Sequence, residues 1–392
     1  MASSLSSFDT KTTVSPSRIG TFLDAVLADF HPIYFVINMG LGITSSVMYN
    51  FPIEQVRVGM KYVGIVYFFI DLVAFIIIHA LFLLRYFVLF NRYDGVSFWG
   101  LLKDHRLSVF LGAETMGLGS LINMIHYLRP EWSVFTYTLW WIQVALSLLC
   151  AWGVTFLMMA VNNLDASNLN ATILLPVVTL TVASSTGSIV SAELDSARWK
   201  LSSEIVTFML LSNALLLAFP LISVYFYKLL TLGLPSKASI YSCFIPIGVL
   251  GQGAFATLLN FQQLAELLQN EPELIKATAL LSQEFLQVVA ALLQLGSIYV
   301  AMSLVSMGIC ITVMATLGVF KYGLIHSWSK TLWASTFPLG TMAVSQSELY
   351  TLTGWLGFKI TGTIYSFALI AVTTYCLLNT CIFEIPVRKH DV

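Results

Sequence analysis

The sequence predicts an all-α membrane protein that crosses the bilayer with ten helices, arranged as five hairpins around a central pore. Three observations carry this expectation. First, the 392 residues are 57% hydrophobic and 10% charged, whereas a soluble domain carries about 25% charged residues. Second, the apolar stretches are of the length a helix needs to cross the hydrocarbon core, about 20 residues, and they are cut at intervals by charge clusters and turn residues. Third, these stretches alternate between long aliphatic segments and shorter ones crowded with glycine and hydroxyl side chains.

Residues 1–29 are Ser/Thr-rich around Lys11 and Arg18. They lack the apolar run of a signal peptide and read as a disordered cytoplasmic tail. Residues 30–384 form the membrane domain. Its spans are Pro32–Tyr49, Tyr62–Phe90, Leu107–Tyr127, Phe135–Val161, Thr172–Ser191, Glu204–Leu229, Ile240–Leu259, Phe285–Gly318, Leu332–Leu349 and Phe358–Phe383. Residues 385–392 form a short cytoplasmic tail. The even-numbered spans are rich in Leu, Ile, Phe and Val, as outer helices in lipid should be. The odd-numbered spans carry NMGLGITSS (Asn38–Ser46), ETMGLGS (Glu114–Ser120), TVASSTGS (Thr181–Ser188), GVLGQGAFAT (Gly248–Thr257) and FPLGTMAVS (Phe337–Ser345). A repeated hairpin with one special and one ordinary helix follows, the five special helices ringing a passage.

The ninth span, around Trp333–Tyr350, is the most distinctive. Phe337, Thr341, Ser345 and Glu348 follow the three-or-four spacing of one helix face. That face either lines a cavity or packs in a bundle interior where small residues let helices approach. With the other clusters included, the expected pore wall is Asn38, Gly42, Ser45, Gly117, Ser185, Ser188, Gly251, Gln252, Thr341 and Ser345. Pro32, Pro176, Pro246 and Pro338 lie near the starts of four of these spans and are expected to kink them, since proline removes a backbone donor.

Basic residues in the connections favour both termini on the cytoplasmic side. The sequon Asn170-Ala-Thr172 then faces the cytoplasm and stays unmodified. Gln262–Gln287, with glutamates among leucines, reads as an outward amphipathic helix or a solvated connector. Cys150, Cys243, Cys310, Cys376 and Cys381 lack metal-ligand spacing and read as reduced packing residues. No metal or cofactor is expected, and a net charge of −1 gives no argument for nucleic acid. Ionisable residues within spans are functional candidates by default, yet Asp71, His79, Glu114, His126, Glu348 and Lys359 are scattered, which disfavours a membrane-embedded enzyme. Asp71 and His79 read as structural. Glu114, just ahead of a small-residue cluster, either titrates in the pore or bonds to a neighbouring helix.

The segments HPIYFVINMGLGI (His31–Ile43), ILLPVVTLTVASSTGS (Ile173–Ser188), GQGAFATLL (Gly251–Leu259) and TFPLGTMAVSQSELY (Thr336–Tyr350) resemble the tellurite-resistance/dicarboxylate transporter family. Its members include plant guard-cell slow anion channels, yeast malate permease and fungal sulfite exporters, and these motifs look like those of the sulfite exporters. It spans about residues 30 to 384. The resemblance implies ten helices in five hairpins, a pore in each protomer and a homotrimer. It also implies a plasma-membrane transporter that exports sulfite or bisulfite, a small inorganic anion, with a C4-dicarboxylate permease as the alternative. In channel members a phenylalanine before a proline of the ninth helix occludes the pore, and Phe337 occupies that position here. The third span departs from its relatives, with Thr115 where they often have proline. Independently of the resemblance, small-residue N–H groups, hydroxyls and freed backbone dipoles bind an anion without a deep trap.

Overall fold

A computed structural model describes residues 18–161, 169–276, 278, 281–323 and 328–384, and all of its regular elements are helical. In chain order these are α1 (Arg18–Ala28), α2 (Phe35–Tyr49), α3 (Glu54–Leu83), α4 (Phe98–Lys103), α5 (His105–Ser108), α6 (Leu111–Leu128), α7 (Ser133–Leu148) and α8 (Thr155–Ala160). They are followed by α9 (Leu175–Ala192), α10 (Ala197–Leu232), α11 (Ile245–Asn270), α12 (Gln283–Lys321), α13 (Thr336–Thr353) and α14 (Leu356–Asn379). A π-helical turn over Leu149–Val154 joins α7 to α8 into one long helix.

Eight of the described helical segments are long and apolar enough to cross a membrane. Two expected spans, α2 and α13, fall outside that group. The α2 helix has 15 residues, and α13 carries Gln346, Glu348 and several hydroxyls. Both are enclosed by protein: every residue from Phe35 to Met48 is buried. A helix shielded by its neighbours needs no lipid-compatible surface, so hydropathy alone understates it.

The shorter helices form a closed ring. The α2 helix packs on α6, α6 on α9, α9 on α11, α11 on α13, and α13 back on α2. Each ring helix also packs on the long helix that follows it: α3, α7, α10, α12 and α14 respectively. Burial divides the two sets: 94% of the most apolar stretch of α9 is buried against 22% for α3. The outer helices present Val58, Leu216 and Leu230 outwards, as lipid contact requires.

Small residues make the ring possible because its helices touch backbone to backbone. A Cβ on Gly112 of α6 would lie 2.4 Å from the Leu175 carbonyl oxygen and 2.6 Å from its carbon, at the start of α9. Backbone cannot yield as a side chain does. Gly112→Ala is therefore expected to destabilise the bundle by about 1–3 kcal/mol, seen as a lower melting temperature of the detergent-solubilised protein. An unchanged melting temperature would show that α6 and α9 part freely.

Three expectations are corrected. The tail expected over 1–29 is helical at Arg18–Ala28; residues 1–17 lie outside the described residues, as do 385–392. Local bonds anchor α1: Arg92 Nη2 donates to Asp24 Oδ2 at 2.7 Å, Tyr93 Oη donates to Asp24 Oδ1 at 3.1 Å, and Leu27 is buried. The connection after Gln262 is no separate outward helix at first: α11 continues to Asn270 and buries Gln263, Ala265, Leu267 and Leu268. Nor do the four prolines kink helix interiors. Pro32 opens a 3-10 turn, Pro176 and Pro246 occupy the first turn of α9 and α11, and Pro338 is the third residue of α13. A first-turn N–H has no intrahelical partner, so its loss costs nothing there. The interior proline is Pro220, on the outer helix α10.

Candidate functional site

Four of the ring helices begin in the same way. A 3-10 turn precedes the α-helix at Pro32–Tyr34, Ala171–Leu174, Lys237–Phe244 and Lys330–Ser335. Side chains cap three of these turns: His31 Nδ1 accepts from Ile33 N at 3.0 Å, Asn170 Oδ1 from Thr172 N at 2.8 Å, and Ser329 Oγ from Thr331 N at 3.4 Å. The ring is parallel, and its N-terminal ends gather around one cavity, here the N-face cavity, of about 160 Å³. Its rim carries Asn170, Thr172, Ser239, Ser242, Thr331 and Lys330. Helix N-termini carry partial positive charge, and Lys330 adds a full one. Its Nζ lies 5.2 Å above the Tyr34 ring. Burial, and then the Lys330 charge, push the nearby His31 down to about 4. His31 is therefore neutral at physiological pH and adds no charge to this face.

A second cavity of about 280 Å³ opens at the C-terminal ends of the same helices. This C-face cavity is more polar, with Ser46, Asn50, Ser120, Asn123, Gln252 and Glu348 in its wall. Among the described residues, Phe337 is the one that lines both cavities. Its side chain is 2% exposed and lies against Gly248, where a Cβ would stand 3.5 Å from Phe337 Cδ1. The ring thus occupies the place where the two cavities approach each other.

The walls of both cavities come from the small-residue helices and their lead-in turns, in a seven-residue register. In α9 the lining residues include Leu175, Val182 and Ile189; in α11, Ile245, Gln252 and Leu259; in α13, Phe337, Val344 and Thr351. The other two ring helices contribute Val36, Ile43 and Asn50, and Met116 and Asn123. Seven residues are two helical turns, so one narrow face of each helix looks inward. In α9, α11 and α13 the residue before the proline, Leu175, Ile245 or Phe337, is the one of this register that lines the N-face cavity.

Of the ten residues expected in the pore wall, Gln252 lines a cavity, and the other nine belong to neither cavity wall; their side chains or Cα positions make contacts within or between helices instead. Asn38 Nδ2 donates to Asp71 Oδ1 at 3.0 Å and Ser45 Oγ to the Gly64 carbonyl at 2.9 Å, both across to α3. A Cβ on Gly42 would meet Ser120, one on Gly117 would meet Asn38, and one on Gly251 would meet Thr341. Ser185 accepts from Gln252 Nε2 at 2.6 Å, and Ser188 accepts from Asn260 Nδ2 at 2.9 Å. Thr341 and Ser345 donate to the carbonyls of Pro338 and Met342 in their own helix. The physical reason is that small residues serve close helix contact, which is a different face from the one that looks inward.

Glu114 also leaves the pore. Its Oε1 lies 3.1 Å from His79 Nε2 on α3, and it belongs to neither cavity wall. Asp71 is fully buried against Asn38. Of the buried ionisable side chains, Asp71, Arg85, Glu204 and Lys228 lie on outer helices or their continuation, and His126, on ring helix α6, belongs to neither cavity wall. Lys330 and Asn123 lie outside the small-residue clusters, and Ser120, the last residue of ETMGLGS, lines the C-face cavity where Gly117 was expected to line the pore.

Comparison with known proteins follows the same lines. The SLAC1 family, described as voltage-dependent anion channels, matches residues 29–381. The sulfite efflux pump SSU1 of Candida albicans is 30% identical over 94% of this chain and 77% of its own length. The SSU1 proteins of Saccharomyces cerevisiae and Arthroderma benhamiae are 25% and 28% identical, over 92% and 93% of this chain and 89% and 91% of their own lengths.

Proposed function

Because the chain belongs to the SLAC1 family of anion channels, we propose that this anion transporter exports sulfite across the plasma membrane through a pore closed by Phe337. The observation that carries the reading is the pair of cavities within one closed ring of helices, with the Phe337 side chain lining both. The relatives' name as sulfite efflux pumps supplies the substrate. With α2 and α13 counted as spans, residues 30–384 cross the membrane ten times, both termini are cytoplasmic, and the N-face cavity opens to the cytoplasm.

This orientation makes physical sense for export. An anion enters where the helix N-termini and Lys330 attract it and leaves past the C-terminal ends and Glu348. No second substrate is needed for direction: each elementary charge gains about 2.3 kcal/mol per 100 mV on leaving an inside-negative cell. Because each chain closes its own ring, a homotrimer would hold three separate pores, its outer helices supplying the apolar contact surface.

The test is anion flux from vesicles reconstituted with the purified chain, with sulfite and malate loaded separately. Sulfite release well above that of protein-free vesicles, with malate release near background, is the expected result. The reverse order would identify a C4-dicarboxylate permease, and retention of both anions would remove the transport reading.

A further inference from the structure

Sulfite forms two ions near neutral pH, the dianion and the singly protonated hydrogensulfite, and the two meet this passage differently. At the N-face, the lining residues in the first register position are Val36, Met116, Leu175, Ile245 and Phe337, all apolar. Lys330 is the cationic side chain lining that cavity and belongs to its rim turn. The desolvation cost of an ion grows with the square of its charge, so a dianion at the Phe337 constriction bears about four times the cost of a monoanion of equal size. Beyond the constriction, Glu348 lines the C-face cavity, and whenever it is ionised it repels a dianion about twice as strongly as a monoanion.

The C-face wall also contains residues with buried amide acceptors, Gln252 and Asn123. Gln252 is 4% exposed and its Nε2 lies 2.6 Å from Ser185 Oγ. Ser185 gives its one hydroxyl proton to the Val182 carbonyl at 3.0 Å, so it can only accept from Gln252. This fixes the amide with its nitrogen on Ser185 and leaves Oε1 as an acceptor without a protein partner. Asn123 Oδ1, at the equivalent register position on α6, is likewise buried without one. A buried acceptor left unpaired is costly. Hydrogensulfite in its S–O–H tautomer brings a donor, and the sulfite dianion brings none.

We propose that the species carried is hydrogensulfite and that Gln252 selects it in the C-face cavity, its Oε1 accepting the hydroxyl proton in a hydrogen bond. The inference rests on the reading of the chain as a sulfite exporter. It assigns Gln252 as a specificity-determining residue. One negative charge and one proton then leave with each sulfur.

The experiment uses the full chain in vesicles at fixed total sulfite, with pH stepped upwards through the second ionisation of sulfurous acid. Methanesulfinate, a monoanion of similar size with no hydroxyl, runs in parallel. Sulfur flux should fall about tenfold per pH unit above that ionisation, while methanesulfinate flux stays level. Flux that is constant or rises with the dianion overturns the proposal. A pH dependence shared by methanesulfinate also overturns it, since Glu348, Tyr127 or Lys330 on the path would then be titrating and not the substrate. No sulfur flux at any pH overturns the export reading itself and this inference with it. In Gln252→Met, of similar length, the preference for hydrogensulfite over methanesulfinate should drop by about 5–10-fold. If that variant does not fold, Gln252→Glu, which keeps an acceptor, should retain a preference for hydrogensulfite. An unchanged preference in Gln252→Met, or a lost one in Gln252→Glu, removes the assignment of Gln252.

Discussion

Phe337→Ala is expected to raise anion flux by tenfold or more per folded molecule and to weaken discrimination among anions. The ring lines both cavities, so its removal joins them without deleting a hydrogen-bond donor. A steric barrier of only about 1.4 kcal/mol corresponds to a tenfold change in rate. Packing gives the opposite expectation. If Phe337 merely filled a core, truncation would leave a void costing about 3–5 kcal/mol, and flux would fall with the yield of folded protein. The side chain is 2% exposed and so is packed, but it also borders a cavity on each side, and flux per folded molecule separates the two effects. The measurement is sulfite flux at equal reconstitution density, normalised to protein that elutes as a folded species. Unchanged or reduced flux from well-folded Phe337→Ala would remove the occlusion proposal while leaving the passage itself in question.

The alternation of long aliphatic and short small-residue segments was enough to separate ring helices from outer helices, because lipid contact and helix contact demand different side chains. It was not enough to find the inward face. Clusters such as Asn38–Ser46 draw attention through their glycines and hydroxyls, yet those residues serve the seams: Gly42 meets Ser120 and Ser45 bonds α3. The inward face is built largely from ordinary apolar residues such as Val36, Leu175, Val182 and Ile245, which composition cannot tell from core. Its one local signature is the pre-proline position in three repeats, Leu175, Ile245 and Phe337, from which the seven-residue step leads to Val182, Gln252 and Val344. Lys330 was hidden for another reason. It lies in a connection by hydropathy, and only the 3-10 turn at Lys330–Ser335 brings it to the cavity rim.

Lys330→Glu is the charge-reversal test of the N-face cavity. With His31 neutral, Lys330 is the charge that reinforces the helix N-termini around this mouth. Fields focused in clefts change the local concentration of a charged substrate and its entry rate by about 10- to 1,000-fold. Reversal is expected to lower sulfite entry from this face by at least about tenfold at low ionic strength. Neutral Lys330→Gln should lower it less. Salt separates the field from packing. Electrostatic steering at an exposed mouth is screened over a Debye length of about 8–10 Å near physiological ionic strength, so the gap between Lys330→Glu and wild type should narrow as salt is raised. Loss of the Lys330 contact over Tyr34, in contrast, would give a deficit independent of salt and shared by Lys330→Gln. Initial rates in vesicles of uniform orientation, measured across ionic strength for the three proteins, decide between them. A salt-independent deficit of equal size in both variants would show that Lys330 holds the Tyr34 ring in place and does not draw the anion in.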